Sequence, residues 1–284
     1  MMTMELKRGF TSRGFKLAII IGVFIVILQY LWFGHHTYKV NQQELSSMLS
    51  LEKNDADYGW WFETGLLEGW IGCENYSMFN HIYYFAFPLI AVMPFALSYL
   101  YDWRSGYANQ LITRAGRSDY HFSKMVAVFL SGGVSVSIPL VVSLWLYLMK
   151  LPVLGIDCIS MQSVVSNADM LSEMYFNFPL IYALIYIFID FFIGGIYATL
   201  TLLVSRFSEN LFLAGLSPTL YHITLLYSVN ILLPGSDSYN LAMIVNPSQF
   251  YATVSGLEAL ITIVLHIFIL PLIFILTGRQ REMI

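Results

Sequence analysis

Six apolar runs, separated by polar loops of unequal length, organise the sequence. They cover residues 17–33, 81–101, 125–149, 176–204, 211–233 and 255–277. Each is close to the roughly 20 residues that a helix rising about 1.5 Å per residue needs to cross a hydrocarbon core about 30 Å thick. Short segments of strict apolar–polar alternation, the mark of a membrane β-barrel, are absent. The pattern predicts an all-α, polytopic membrane protein with six transmembrane helices.

Composition agrees with this. Only 11% of the 284 residues are charged and 57% are hydrophobic, whereas a soluble globular chain carries about 25% charged residues. The first run is followed by Gly34-His35-His36 rather than a small-x-small cleavage site, so it is expected to remain as a signal anchor. Internal repeats and low-complexity tracts are lacking, and residues 1–284 read as a single transmembrane domain.

The cations set the expected orientation, because basic residues flanking a span are retained on the cytoplasmic side. With the amino terminus inside, the inner segments hold Lys7, Arg8, Arg13, Lys16, Arg104, Arg114, Arg117, Lys124, Arg206, Arg279 and Arg281. The outer segments hold only Lys39, Lys53 and Lys150. Both termini are therefore expected in the cytoplasm, and the outer loops are acidic.

The loops differ in character. Residues 1–16 mix Met, Leu and Phe with four cations, which suits an interfacial segment on the anionic inner leaflet; a disordered basic flank is the alternative. The first external loop, 34–80, contains Trp60, Trp61 and Trp70 beside Glu63 and Glu68, a composition that predicts a short helix at the outer interface. Residues 205–210 form a tight turn that makes the fourth and fifth spans neighbours. The external stretch 234–254 is broken by Pro and Gly yet holds an apolar patch. It reads either as a re-entrant segment covered by protein or as a plain loop.

Candidate chemistry is sparse. His-Glu-x-x-His and Gly-x-Ser-x-Gly are absent, and the His35–His36 pair lacks a third ligand, so neither catalytic residues nor a metal site are expected. Asp190 lies in the centre of the fourth run, where a charged Asp costs about 2.5–3.5 kcal/mol on insertion scales. It reads either as a structural hydrogen-bonding residue or as part of a substrate pathway. A proton-coupled secondary transporter that uses Asp190 as its relay is the alternative function. Gly194 and Ala198 give the same run a small-xxx-small face for close packing. Cys73 and Cys158 both fall outside, so one disulfide bridge or two thiols are expected. Asn75-Tyr76-Ser77 matches a glycosylation sequon. The phosphate-cradling Gly-x-x-x-x-Gly-Lys-Ser/Thr is missing, so ATP-driven work would need a second polypeptide.

The most polar island, residues 102–124, lies between the second and third runs. Tyr107, Leu111 and Ile112 recur at helical spacing as an apolar face, and Arg104, Arg114 and Arg117 offer cations to a partner's carboxylates. In the topology-only reading these cations merely hold the loop inside.

The order of parts resembles the permease subunit of a type-2 class ATP-binding-cassette exporter. The shared features are a basic amphipathic start, six spans, a basic loop after the second, a short turn after the fourth and a broken apolar segment before the sixth. Asp102, Gly106, Leu111, Arg114, Arg117, Tyr120 and Lys124 match that family's acidic residue, glycine, short helix and R-x-x-Y-x-x-x-K, although the family more often has Glu at the first position. The resemblance implies that 102–124 is a cytoplasmic coupling loop, with Asp102, Arg104, Tyr107, Leu111, Arg114, Arg117, Tyr120 and Lys124 engaging an ATPase. It implies a partner ABC ATPase that carries ATP and magnesium, no cofactor in this chain, and a second copy or a sister permease. It also implies a bacterial cytoplasmic (inner) membrane location and an amphipathic or hydrophobic cargo such as a lipid, a drug or an antimicrobial peptide. Nucleic acid is not an expected partner.

Overall fold

The computed structural model describes residues 1–35, 65–74, 77–153, 165, 169–232, 235–247 and 254–278. Trp60, Trp61, Glu63, His36, the sequon residues Asn75 and Tyr76, Cys158, Arg279 and Arg281, and parts of 234–254, lie outside the described residues.

Apolar runs become helices because a helix satisfies its own backbone groups where lipid offers no partner. Among the described residues the chain is helical and has no strand. In order, the helices are α1 (Met2–Thr11), α2 (Arg13–His35), α3 (Leu66–Gly69), α4 (Met78–Val92), α5 (Ser98–Arg104), α6 (Tyr107–Ala115) and α7 (Arg117–Leu148). They are followed by α8 (Ser172–Asn177), α9 (Pro179–Phe207), α10 (Leu211–Leu232), a 3-10 turn (Asp237–Tyr239), α11 (Leu241–Ile244) and α12 (Gly256–Gly278).

Four of these, α2, α7, α9 and α12, are long and apolar enough to cross a membrane. Of the other two expected spans, α4 is a shorter apolar helix and α10 is apolar over Leu211–Tyr227. The second run is split: α4 ends at Val92, Pro94 falls in the break, and α5 resumes at Ser98. At about 22 Å, α4 alone is shorter than a hydrocarbon core. The helix of the third run, α7, starts eight residues before that run, at Arg117.

Burial places α9 at the centre. Of its most apolar window 67% is buried, against 33% for α2 and 22% for α12, so α2 and α12 present wide apolar faces outward. The tightest crossing joins α7 to α9 through glycine. A Cβ on Gly132 would lie 2.5 Å from the Ala198 Cβ, and one on Gly133 would lie 2.5 Å from the Phe191 carbonyl oxygen. The expected Gly194–Ala198 face is thus met by Gly132 and Gly133, and the absent side chains let two backbones touch.

Residues 65–74 are entirely buried. Trp70 donates its indole N–H to the Leu140 carbonyl at 3.1 Å, the Ile71 N–H reaches Ser143 Oγ at 3.2 Å, and Gln29 donates to the Gly69 carbonyl at 2.8 Å. Tyr147 in turn donates to Gln29 at 3.0 Å. The expected outer-interface helix is therefore, for this part, a segment inserted into the bundle. Side chains from α2 and α7 satisfy its backbone, which is what makes the insertion affordable. Residues 241–245 likewise fold back against the bundle: Leu241, Ala242, Ile244 and Val245 are buried, and Asn240 caps α11 while donating to the Leu225 carbonyl at 2.9 Å.

Candidate functional site

Two glycines frame α6. Gly106 (φ 71°) precedes it and Gly116 (φ 85°) ends it. No atom of the described residues stands within 4 Å of where their Cβ atoms would be, so backbone conformation rather than space calls for glycine here. Between them Ala108 is buried, and Leu111 and Ile112 pack half-buried against the core, whereas Asn109, Gln110, Thr113 and Arg114 are exposed. The expected apolar face of this helix thus turns toward its own bundle, leaving a polar and cationic face outward. Arg104 and Arg117 are exposed as well, and Arg104 donates to the Glu209 carbonyl, tying the end of α5 to the turn between α9 and α10.

Asp102, Tyr120 and Lys124 are buried, at 4%, 0% and 0% exposure, and so cannot face a partner directly. Lys124 Nζ lies 2.5 Å from Asp102 Oδ2 and 3.1 Å from Glu5 Oε2. Arg8 closes the set, with Nη2 at 2.7 Å from Asp102 Oδ1 and Nη1 at 2.8 Å from Glu5 Oε1. Two cations and two carboxylates alternate in a ring drawn from α1, α5 and α7, which compensates each buried charge. Aromatic faces complete it. The Arg8 guanidinium lies 4.9 Å from the Tyr107 ring centre, and Lys124 Nζ lies 4.3 Å from that of Phe95. Burial works against the Arg8 cation, but the hydrogen bond and charge of Asp102, with Glu5 behind it, outweigh that and raise its pKa above the usual arginine value.

The sequence had grouped Asp102, Tyr107, Tyr120 and Lys124 with the loop, and the structure brings Asp102, Tyr107 and Lys124 into one cluster. Glu5 and Arg8 were missed as members. The available signal was Glu5 itself, the sole carboxylate among four cations in residues 1–16, placed three positions before Arg8. α1 is a helix packed on α7 through Glu5 and Gly9.

Asp190 is wholly buried on α9. Tyr84 Oη approaches its Oδ2 at 3.5 Å, and Oδ1 has no partner among the described residues. Around it α4 and α9 contribute a tyrosine-rich wall: Tyr84 stacks on Phe87, and Tyr197 meets Phe87 edge-on at 6.1 Å. Tyr197 is in turn hydrogen-bonded to His222 Nδ1 of α10 at 2.8 Å. No ion pair forms at Asp190 among the described residues. Cys73, at the end of the inserted segment, is a buried free thiol, and Cys158 lies outside the described residues.

No family model matches the chain, and comparison with curated proteins and with solved structures finds no match.

Proposed function

We propose that this chain is the membrane-spanning subunit of an ATP-driven ATP-binding-cassette exporter, with α6 as the helix on which a separate ATPase docks. The observation that carries the reading is the construction of α6. It is a short helix with an exposed polar and cationic face, set between two positive-φ glycines and locked to the bundle by the Glu5–Arg8–Asp102–Lys124 ring beside Tyr107. A push on Arg114 or Gln110 would pass through α6 to that ring, and from there to α1 and α7 without slack, since packed elements transmit rather than absorb displacement. Rigid-body tilting of the bundle is the motion that such a linkage favours.

In this reading six segments cross the bacterial cytoplasmic membrane, with α4–α5 and α10 joining the four long helices, and both termini lie in the cytoplasm. Two copies, or this chain with a sister permease, enclose the pathway. ATP and magnesium belong to the ATPase, and the cargo is amphipathic or hydrophobic. Replacing Arg114 and Arg117 with Glu tests it. ATPase co-purification with the tagged chain is expected to be lost while the protein still reaches the membrane; retained association with retained transport would refute it.

A second reading, a proton-coupled transporter, is favoured by one observation: Asp190 is a buried carboxyl with an oxygen left unpartnered among the described residues. Transport driven by a pH gradient in vesicles free of any ATPase, and abolished by Asp190→Asn, would select it.

A further inference from the structure

A cleft of about 480 Å³ runs between α9 and α12, on the face of α9 opposite Asp190. Phe188 and Phe192 form one wall, Ala259 and Ile263 line α12, and Met170 and Ile244 line the end nearest the start of both helices, which is the mouth. Every lining residue among those described is apolar. The cleft is deeper than the ordinary outer surface of a span, since Ala259 is 1% and Ile263 9% exposed, while the lips Phe188 and Leu260 are each 63% exposed. Its volume falls in the range of about 300–1,000 Å³ typical of sites that enclose one small ligand.

Charge decides what the head of such a ligand would be. From Leu151 to Gly278 the only Lys or Arg is Arg206, in the last turn of α9, away from the cleft's mouth. Carboxylates stand in the segments beside that end instead: Glu173 in α8, which directly follows Met170 and Leu171, Asp237 in the 3-10 turn packed on α12, and Glu258 in the first turn of α12. A one-signed field of this kind attracts cations and repels the anionic headgroups common in membranes.

We propose that this cleft binds the hydrocarbon chain of a single-chain cationic amphiphile, an alkylammonium, whose head rests at the acidic mouth. As a statement about exported cargo this rests on the exporter reading; as a binding site it is tested without ATP or ATPase, so the two fail separately. The full chain in phosphatidylcholine nanodiscs is photolabelled at low ionic strength with hexadecyltrimethylammonium carrying a diazirine in its chain. Hexadecyl sulfate with the same group serves as the comparison, and labelled peptides are mapped by mass spectrometry.

The ammonium probe is expected to label 185–192 and 256–267 in preference to the outward face of α2 around Phe24. Each mouth carboxylate is expected to contribute up to about fivefold to the preference over the sulfate. Glu173→Gln with Asp237→Asn should reduce that preference, and Leu260→Trp, at an exposed lip where bulk is tolerated, should suppress labelling by covering the cleft. Equal labelling by the two probes, labelling spread evenly over all outward faces, or insensitivity to both substitutions would overturn the proposal.

Discussion

Lys124 has no exposed surface, yet it is the last residue of the R-x-x-Y-x-x-x-K stretch that the sequence presents as polar loop. Its burial is tolerable only because Asp102 and Glu5 both lie within salt-bridge distance. Asp102→Asn would leave Lys124 and Arg8 sharing one carboxylate, and breaking a buried pair in this way typically costs about 3–5 kcal/mol. Purified Asp102→Asn should therefore melt well below the parent. Asp102→Leu combined with Lys124→Met, which removes one cation and one anion and keeps Arg8 with Glu5, should melt higher than the single variant. A single variant that melts with the parent would mean that the ring carries no stability.

Glu68, in α3, gives a pH signature. Burial pushes its carboxyl up to about 7 from the usual 4.5, a backbone hydrogen bond at Gly65 offsetting part of the shift. The folded state thus holds this proton more tightly than the unfolded one. The stabilisation is fully present below about pH 4.5 and is lost as pH rises through 7. Glu68→Gln should melt with the parent at pH 5 and above it at pH 8.5; the same offset at both values would exclude Glu68 as the source.

Among the helices, the α7–α9 crossing and the α6 turns make opposite demands on glycine. A side chain at Gly133 meets the Phe191 backbone at 2.5 Å, and overpacking against a backbone that cannot yield costs about 1–3 kcal/mol or more. At Gly106 nothing is in the way, and Ala would incur only the left-handed penalty of about 1–2 kcal/mol. Gly133→Leu should lose most of the folded monomer on size exclusion, and Gly106→Ala should retain it; the reverse order would contradict the crossing. Much at this scale was legible beforehand. Long apolar runs become helices in lipid almost regardless of context, so α2, α9, α10 and α12 fall within a few residues of their runs. Run length does not register a break such as the one around Pro94, and it stops where apolarity stops, so the polar first turns of α7 went unseen. The inserted segment 65–74 was illegible for a different reason. Trp70 beside carboxylates looks interfacial until Gln29, Ser143 and Leu140 are brought from distant helices to receive it.

For the whole molecule, the role proposed for α6 is to couple a helical membrane bundle to an external motor. The buried ring was only half visible in the sequence, because Asp102 and Lys124 sit in one loop while their partners are supplied by α1 about a hundred residues earlier. What the reading requires most is that α6 lies in the cytoplasm. The direct measurement places one cysteine at exposed Gln110, in a background with Cys73→Ala and Cys158→Ser, and reacts it with a membrane-impermeant maleimide in vesicles of both orientations. Labelling confined to inside-out vesicles is the predicted result, and labelling from the outer face of right-side-out vesicles would contradict the account.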